Sequence, residues 1–531
     1  MKRRNFIKAI PATGMIMTAI GTAKAQENGI YFEDKFDLNE VTIAELQNKM
    51  KSGRLTSKKI TSLYLERIKA IDKSGPAVNA ILQLNPDALN IAEQLDNERK
   101  QGNIRGPLHG IPVLVKDNIN TADKMMTTAG SLALLNHVAL RDAFIIKKLR
   151  EAGAVLLGKT NCSEWSNFRS SRSASGWSSR GGQTKNPCML DRSPSGSSSG
   201  SAVAVATNMC AVAVGTETDG SIVSPSSFNG IVGIKPTVGL WSRSGIIPIS
   251  KTQDTAGPMA RTVSDAATLL GVLCGEDEDD EKTVSGNGKF EKDYTKYLDE
   301  EGLKNARIGI EKSFLEGRPG VVDLYKEAIA VLRKKGATII ELDLMKTYYG
   351  LEYPEYLTFQ YEFKDGLNRY LQTNNTKLKS LGEIIAFNKE NEAKVMPFFK
   401  QETLESSESR GPLTDKEYVE AIGKRVKVID MLNSVMKNNN LDAICATSTG
   451  LACAIDVING DYGTGFYFCS PAAVAGFPHI TVPMGKVHGL PAGLSFMSTA
   501  YKEGDIIRLA YAFESATKKR ELPKFIKSSV P

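Results

Sequence analysis

The stretch that decides the reading is Ser193–Ser221: S-P-S-G-S-S-S-G-S, then A-V-A-V-A-T-N-M-C-A-V-A-V-G, then T-E-T-D-G-S. Hydroxyl residues flank an apolar segment with a helix-like first half, 201–208, and a strand-like second half, 211–215. A second stretch stands far upstream, G-I-P-V-L-V-K-D-N at 110–118. Its β-rich run 111–115 reads as a buried strand that delivers Lys116 at its carboxyl end, where open α/β sheets place their ligands.

The Ser/Gly-rich span 166–201 admits two readings. As low complexity it is a flexible linker. As a loop, its small residues let the backbone crowd a ligand. One pattern inside it, Gly196-Ser197-Ser198-Ser199-Gly200, matches G-x-S-x-G, which would make Ser198 a nucleophile on a strand-to-helix elbow. That elbow requires a preceding strand, and residues 181–195 do not read as one.

Ser221 has a better setting. It follows the strand 211–215 through Thr216-Glu217-Thr218-Asp219-Gly220, a turn able to aim backbone N–H groups at a developing oxyanion. A serine nucleophile needs a base, and the chain has only four histidines, at 109, 137, 479 and 488. A lysine can serve when burial disfavours its ammonium form, with a second hydroxyl carrying the proton. The residues alone thus allow a Ser-Ser-Lys hydrolase without requiring one. No H-E-x-x-H, no phosphate-binding G-x-x-x-x-G-K-[ST] and no dinucleotide G-x-G-x-x-G after a strand occurs, so no metal and no cofactor is expected.

Around these stretches the pattern alternates helix and strand, as parallel α/β pairing does. Thr42-Ile43-Ala44-Glu45 is a capping box opening a helix. Helices follow at 60–71, 86–100, 142–151, 262–274, 323–335 and 503–516. Strands fall at 78–84, 154–157, 307–311, 338–342, 441–446 and 480–484. Residues 345–415 are polar and aromatic without a clean period, and read as an inserted helical region. The acidic run Glu276–Glu281 reads as a solvated loop.

At 531 residues, 41% hydrophobic and 24% charged, the chain suits a large globular core. The net charge of +7 misleads, because Lys2, Arg3, Arg4, Lys8 and Lys24 lie in residues 1–25, which hold no acid. The remainder is close to neutral and has no basic stripe, so nucleic acid is not an expected partner. Residues 1–25 read as an export signal. Lys2-Arg3-Arg4-Asn5-Phe6-Ile7 resembles the twin-arginine pattern, a short apolar run 9–20 follows, and Ala23-Lys24-Ala25 offers a cleavage site. That run is too short for a stable membrane span. An exported, periplasmic protein is expected, with the twin-arginine export machinery as a partner. The odd count of seven cysteines, without C-x-x-C spacing, leads to no proposed disulfide.

Together, G-I-P-V-L-V-K-D-N, S-P-S-G-S-S-S-G-S, G-T-E-T-D-G-S-I and G-I-V-G-I-K-P-T-V-G-L-W-S-R-S-G-I-I-P-I-S resemble the amidase signature family, from about residue 40 onward and most weakly at 275–440. The resemblance implies one large α/β domain, 26–531, with a mixed twisted β-sheet covered by helices on both faces and a signature core at about 110–275. It implies Lys116 as base, Ser197 as a bridging serine on a cis peptide bond, and Ser221 as the acyl-forming nucleophile. Backbone N–H groups at Thr218, Asp219 and Gly220 would form the oxyanion hole.

Many members carry glycines where this chain has Ser195, Ser199 and Asp219. The stretches G-T-E-T-D-G-S-I, Lys251 onward to Arg261, and Ile455–Asp461 resemble the peptide amidase branch, whose members release ammonia from C-terminal carboxamides of peptides. The expectation is an exported amidase of peptide amides. Small aliphatic or aryl amides, or a non-catalytic shell, are the alternatives. The family's tRNA-dependent amidotransferase subunits are cytosolic, and the export signal argues against that role.

Overall fold

The computed structural model describes residues 36–286 and 288–528. The export signal expected at residues 1–25 lies outside the described residues.

The strands are β1 (Ile81–Leu84), β2 (Pro112–Lys116), β3 (Val155–Thr160), β4 (Trp177–Ser178), β5 (Gly182–Gln183), β6 (Val212–Glu217), β7 (Val232–Lys235) and β8 (Thr255–Ala260). They continue with β9 (Arg307–Glu311), β10 (Thr338–Leu342), β11 (Ala443–Thr447), β12 (His479–Val487) and β13 (Leu490–Met497). Apart from the β4–β5 ribbon they form one 11-stranded mixed sheet, ordered β1-β3-β2-β6-β8-β7-β12-β13-β11-β9-β10. Helices flank it, so the single large α/β domain expected from the resemblance is the fold observed.

The central strands are apolar on both faces because helices cover both faces. β2, β3 and β6 are buried at every position. β2 pairs parallel with β6, Val113 opposite Val212 and Val115 opposite Val214. The two strands therefore end at the same edge, bringing Lys116 beside Thr216 and Glu217. The helix Ser199–Ala206 leads back into β6 and packs on it. A helix returning into a strand starts at that strand's carboxyl end, which sets Ser197 and Ser198 at the same edge.

Gly200 shows why the serine stretch contains glycine. A Cβ there would lie 2.3 Å from the Ala80 carbonyl oxygen and 2.5 Å from that of Asn161. Only a bare Cα lets this helix start so close to the backbone at β1 and β3.

Two sequence readings resolve here. The Ser/Gly-rich span is no linker: Ser193, Ser197, Ser198, Ser199 and Ser201 are all buried. The acidic run is not merely solvated: Asp280 is buried and binds Arg243 through both carboxylate oxygens at 2.6 and 2.8 Å. All seven cysteines are buried and unbridged. The capping box at Thr42 forms, with Glu45 N–H donating to Thr42 Oγ1 at 3.2 Å and Thr42 N–H to Glu45 Oε2 at 2.8 Å.

Residues 344–408 form five helices, Leu344–Gly350, Glu355–Thr373, Leu381–Glu390, Glu392–Val395 and Glu402–Glu408. The helices Glu355–Thr373, Leu381–Glu390 and Glu402–Glu408 share a second hydrophobic cluster in which Phe359, Phe363, Leu367 and Ile384 pack with Trp165, Phe168, Ile247 and Ile249. This region thereby covers the loops beside the Ser221 turn.

Candidate active site

Lys116 is fully buried. Its Nζ donates to Ser197 Oγ at 2.7 Å, to Thr216 Oγ1 at 2.8 Å and to the Thr216 carbonyl at 3.3 Å. Burial disfavours the ammonium and brings the pKa down to about 8, partly opposed by the charges of Asp254 and Glu217. Roughly a tenth of the lysines are then neutral at pH 7, against a negligible fraction at the ordinary lysine pKa.

Ser197 follows Gly196 through a cis peptide bond. Two backbone bonds seat this segment: Ser163 N–H donates to the Ser197 carbonyl at 3.2 Å, and Ser198 N–H to the Ser221 carbonyl at 3.2 Å. The second ties the Ser221 turn directly to the segment that carries the lysine's partner. Lys116 and Ser197 are sealed behind the wall of a cavity of about 640 Å³, whereas Ser221, Thr218, Asp219, Ser195 and Gly196 line it. The lining holds no part of Gly220, which lies under Tyr467.

The turn before Ser221 is held from several sides. Gly220 has φ +76°, and a Cβ there would meet Tyr467 Oη at 2.1 Å, so position 220 requires glycine twice over. Glu217 Oε2 accepts from Ile222 N–H at 2.7 Å and Val223 N–H at 3.0 Å, closing the turn onto the helix Val223–Asn229. Asp254 accepts from Thr218 Oγ1 at 2.6 Å and from the N–H groups of Ile249 and Ser250 at 2.8 and 2.9 Å. Burial pushes the Asp254 carboxyl up to about 6 in spite of these donors.

Reading the residues one by one missed much of this support. Thr216 Oγ1 accepts from both Lys116 Nζ and Asn118 Nδ2, the latter at 3.0 Å. Threonine is common in strands, and nothing in the spacing singled this one out. Asp117, next to the lysine, binds Arg180 at 3.0 Å and accepts from Gly130 N–H at 3.1 Å. It anchors the loop after β2 rather than facing the cavity.

The elbow reading fails on geometry. Ser198 Oγ donates to the Thr216 carbonyl at 2.9 Å and accepts from Thr216 N–H at 3.1 Å. It is buried and fully engaged with β6, and no strand leads into it.

A buried amine hydrogen-bonded to one serine, with a second serine facing a cavity, is an arrangement suited to acyl transfer at an amide. The chain belongs to the amidase family: the family model named Amidase matches residues 59–507. It is 40% identical over 521 residues to an Arabidopsis thaliana protein named "Probable amidase", covering 96% of each chain. Its fold superposes on native peptide amidase from Stenotrophomonas maltophilia with TM-score 0.87 at 46% identity, covering 92% of this chain and 99% of that one. A structure of the peptide amidase PAM with the competitive inhibitor chymostatin gives TM-score 0.88 at 47% identity, covering 92% and 100%. The protein is an amidase, and the Ser-Ser-Lys triad is a property of its family.

Proposed function

We propose that this protein is an exported amidase that hydrolyses C-terminal carboxamides of peptides through an acyl-enzyme on Ser221. The observation that carries the mechanism is the fully buried Lys116 Nζ, 2.7 Å from Ser197 Oγ. Neutral Lys116 takes a proton from Ser197 as Ser197 takes one from Ser221, whose oxygen attacks the amide carbon. The backbone N–H groups of Thr218 and Asp219, the turn residues that line the cavity, are the donors to the oxyanion, and Gly220 shapes the turn. Collapse of the tetrahedral species returns the proton to nitrogen, and ammonia leaves. Water then attacks the ester by the same relay in reverse.

The likeness to peptide amidases supports a peptide substrate, as does the cavity. Its volume suits a ligand of several residues rather than a small aliphatic amide. Phe168, Phe228, Phe314, Tyr349, Tyr356 and Phe359 give it apolar walls. With acetyl-dipeptide amides, free amino-acid amides and aryl amides at matched concentrations, kcat/KM for ammonia release is expected to be at least about tenfold higher for the dipeptide amides. A preference for aryl or free amino-acid amides would reject the peptide reading in favour of a small-amide enzyme.

Export rests on the sequence of residues 1–25. Replacing Arg3 and Arg4 by Lys together is expected to retain the chain in the cytoplasm of a bacterial host. Unchanged periplasmic recovery would contradict the twin-arginine route.

A further inference from the structure

Asp219 stands two residues before Ser221 and lines the cavity. The proton relay from Ser221 through Ser197 to Lys116 does not use this side chain. Its carboxylate is nevertheless carefully held. Ser470 Oγ donates to Asp219 Oδ2 at 2.7 Å, and Tyr467 Oη donates to Oδ1 at 3.3 Å and to the Asp219 carbonyl at 3.2 Å.

Glu355, the first residue of the helix Glu355–Thr373, lies beside Asp219, and the charge of Asp219 acts on its carboxyl group. Glu355 is fixed in turn by Gln253 Nε2, at 2.8 Å from Oε1, and the same amide group lies 3.3 Å from the Thr218 carbonyl. Two neighbouring carboxyl groups resist ionising together, because the charge of one disfavours the charge of the other. Burial and the charge of Asp219 keep Glu355 well above the carboxylate range, and burial brings Asp219 to about 6. Glu355 therefore stays protonated beside a charged Asp219, which keeps its negative charge above neutral pH.

The balance of the cavity follows. Among the described residues, two carboxylates, Asp219 and Asp461, line it, and no lysine or arginine does. A like charge brought against this wall meets the Asp219 carboxylate directly, while the Lys116 ammonium lies behind the wall and out of contact.

We propose that Asp219 is a specificity-determining residue: it makes the cavity a charge filter that admits neutral and cationic carboxamides and rejects those with a carboxylate beside the scissile amide. The filter rests on the peptide-amide reading above and adds to it the charge of the residue accepted next to the amide. It also disfavours rebinding of the product, which is itself a carboxylate at this position.

The test uses acetyl-Phe dipeptide amides ending in Met, Lys or Glu, with ammonia release measured at pH 7.5. The wild-type enzyme is expected to show kcat/KM for the Met and Lys amides at least tenfold above that for Glu. In Asp219→Asn the Met-to-Glu ratio is expected to fall below threefold. A general loss of rate in that variant cancels in the ratio. Glu355→Gln, which replaces a protonated neighbour by a neutral amide and leaves the Asp219 charge in place, is expected to preserve the wild-type ratio.

Equal rates on the Met and Glu amides in the wild type would overturn the filter and leave the peptide-amidase reading standing. An unchanged ratio in Asp219→Asn would do the same. No ammonia from any of the three would overturn the peptide reading and the filter with it.

Discussion

Lys116→Met lowers kcat for ammonia release by at least about 10⁴-fold without lowering Tm. A general base positioned in hydrogen-bond contact is worth roughly 10² to 10⁴ in rate. Among the described residues it is the only base hydrogen-bonded to Ser197 Oγ, so its loss also removes the proton needed to expel ammonia. The stability side follows from the same burial. The folded-state pKa of about 8 lies below the ordinary lysine value of 10.5. The unfolded chain therefore binds more protons between those values, and stability due to this residue rises with pH across that window. Below pH 8 the buried ammonium costs stability in full. An apolar side chain of similar length removes that cost, and Tm measured at pH 7 should equal or exceed the wild-type value. A Lys116→Met enzyme that still turns over at a tenth of the normal rate would show that some other group is the base.

Ser221→Ala removes the atom that forms the acyl bond. Its kcat should fall by at least about 10⁴-fold, with substrate KM changed little, since Ser221 contributes one hydroxyl to a large cavity wall. Ser197→Ala should cost less, roughly 10² to 10⁴-fold, because a water molecule can enter the space of the lost hydroxyl and pass the proton more slowly. Steady-state kinetics on one dipeptide amide separates the two serines. Ser198→Ala is the informative control. That hydroxyl is spent on both the N–H and the carbonyl of Thr216, so its loss should appear in stability before it appears in chemistry. A reversed order, with Ser198→Ala inactive and Ser221→Ala active, would revive the elbow mechanism.

How much of this was legible beforehand differs from one part to the next. The strand run at 111–115 and the turn residues 216–221 could be read because β2 and β6 are buried on both faces, which leaves uninterrupted apolar stretches ending in polar residues. The identity of Lys116 as more than a surface charge could not be read from the strand alone. A lysine after a strand carries no mark of its surroundings, and the resemblance to a family supplied the role. Burial by helices from remote parts of the chain is what turns it into a base.

The support around the site was the least legible. Thr216, Asn118, Gln253 and Asp254 act through contacts that span from 35 to 102 residues of the chain, and each is an ordinary residue in its local pattern. Asp277 and Asp280 show the same limit in the opposite direction. Six successive acids look solvated until Arg243, Ser242 and Ser244 arrive as partners. Asp219 was visible as a departure from the family pattern, but its link to Glu355 needed the fold of the inserted helices.

The most direct test of the central claim is the pH dependence of kcat/KM on a neutral dipeptide amide, which reports the pKa of the base in the free enzyme. A lysine depressed to about 8 predicts activity that rises tenfold per pH unit below 8 and levels off above it. A profile flat from pH 6 to 9, or one still climbing past pH 10, would contradict a buried neutral Lys116 as the base.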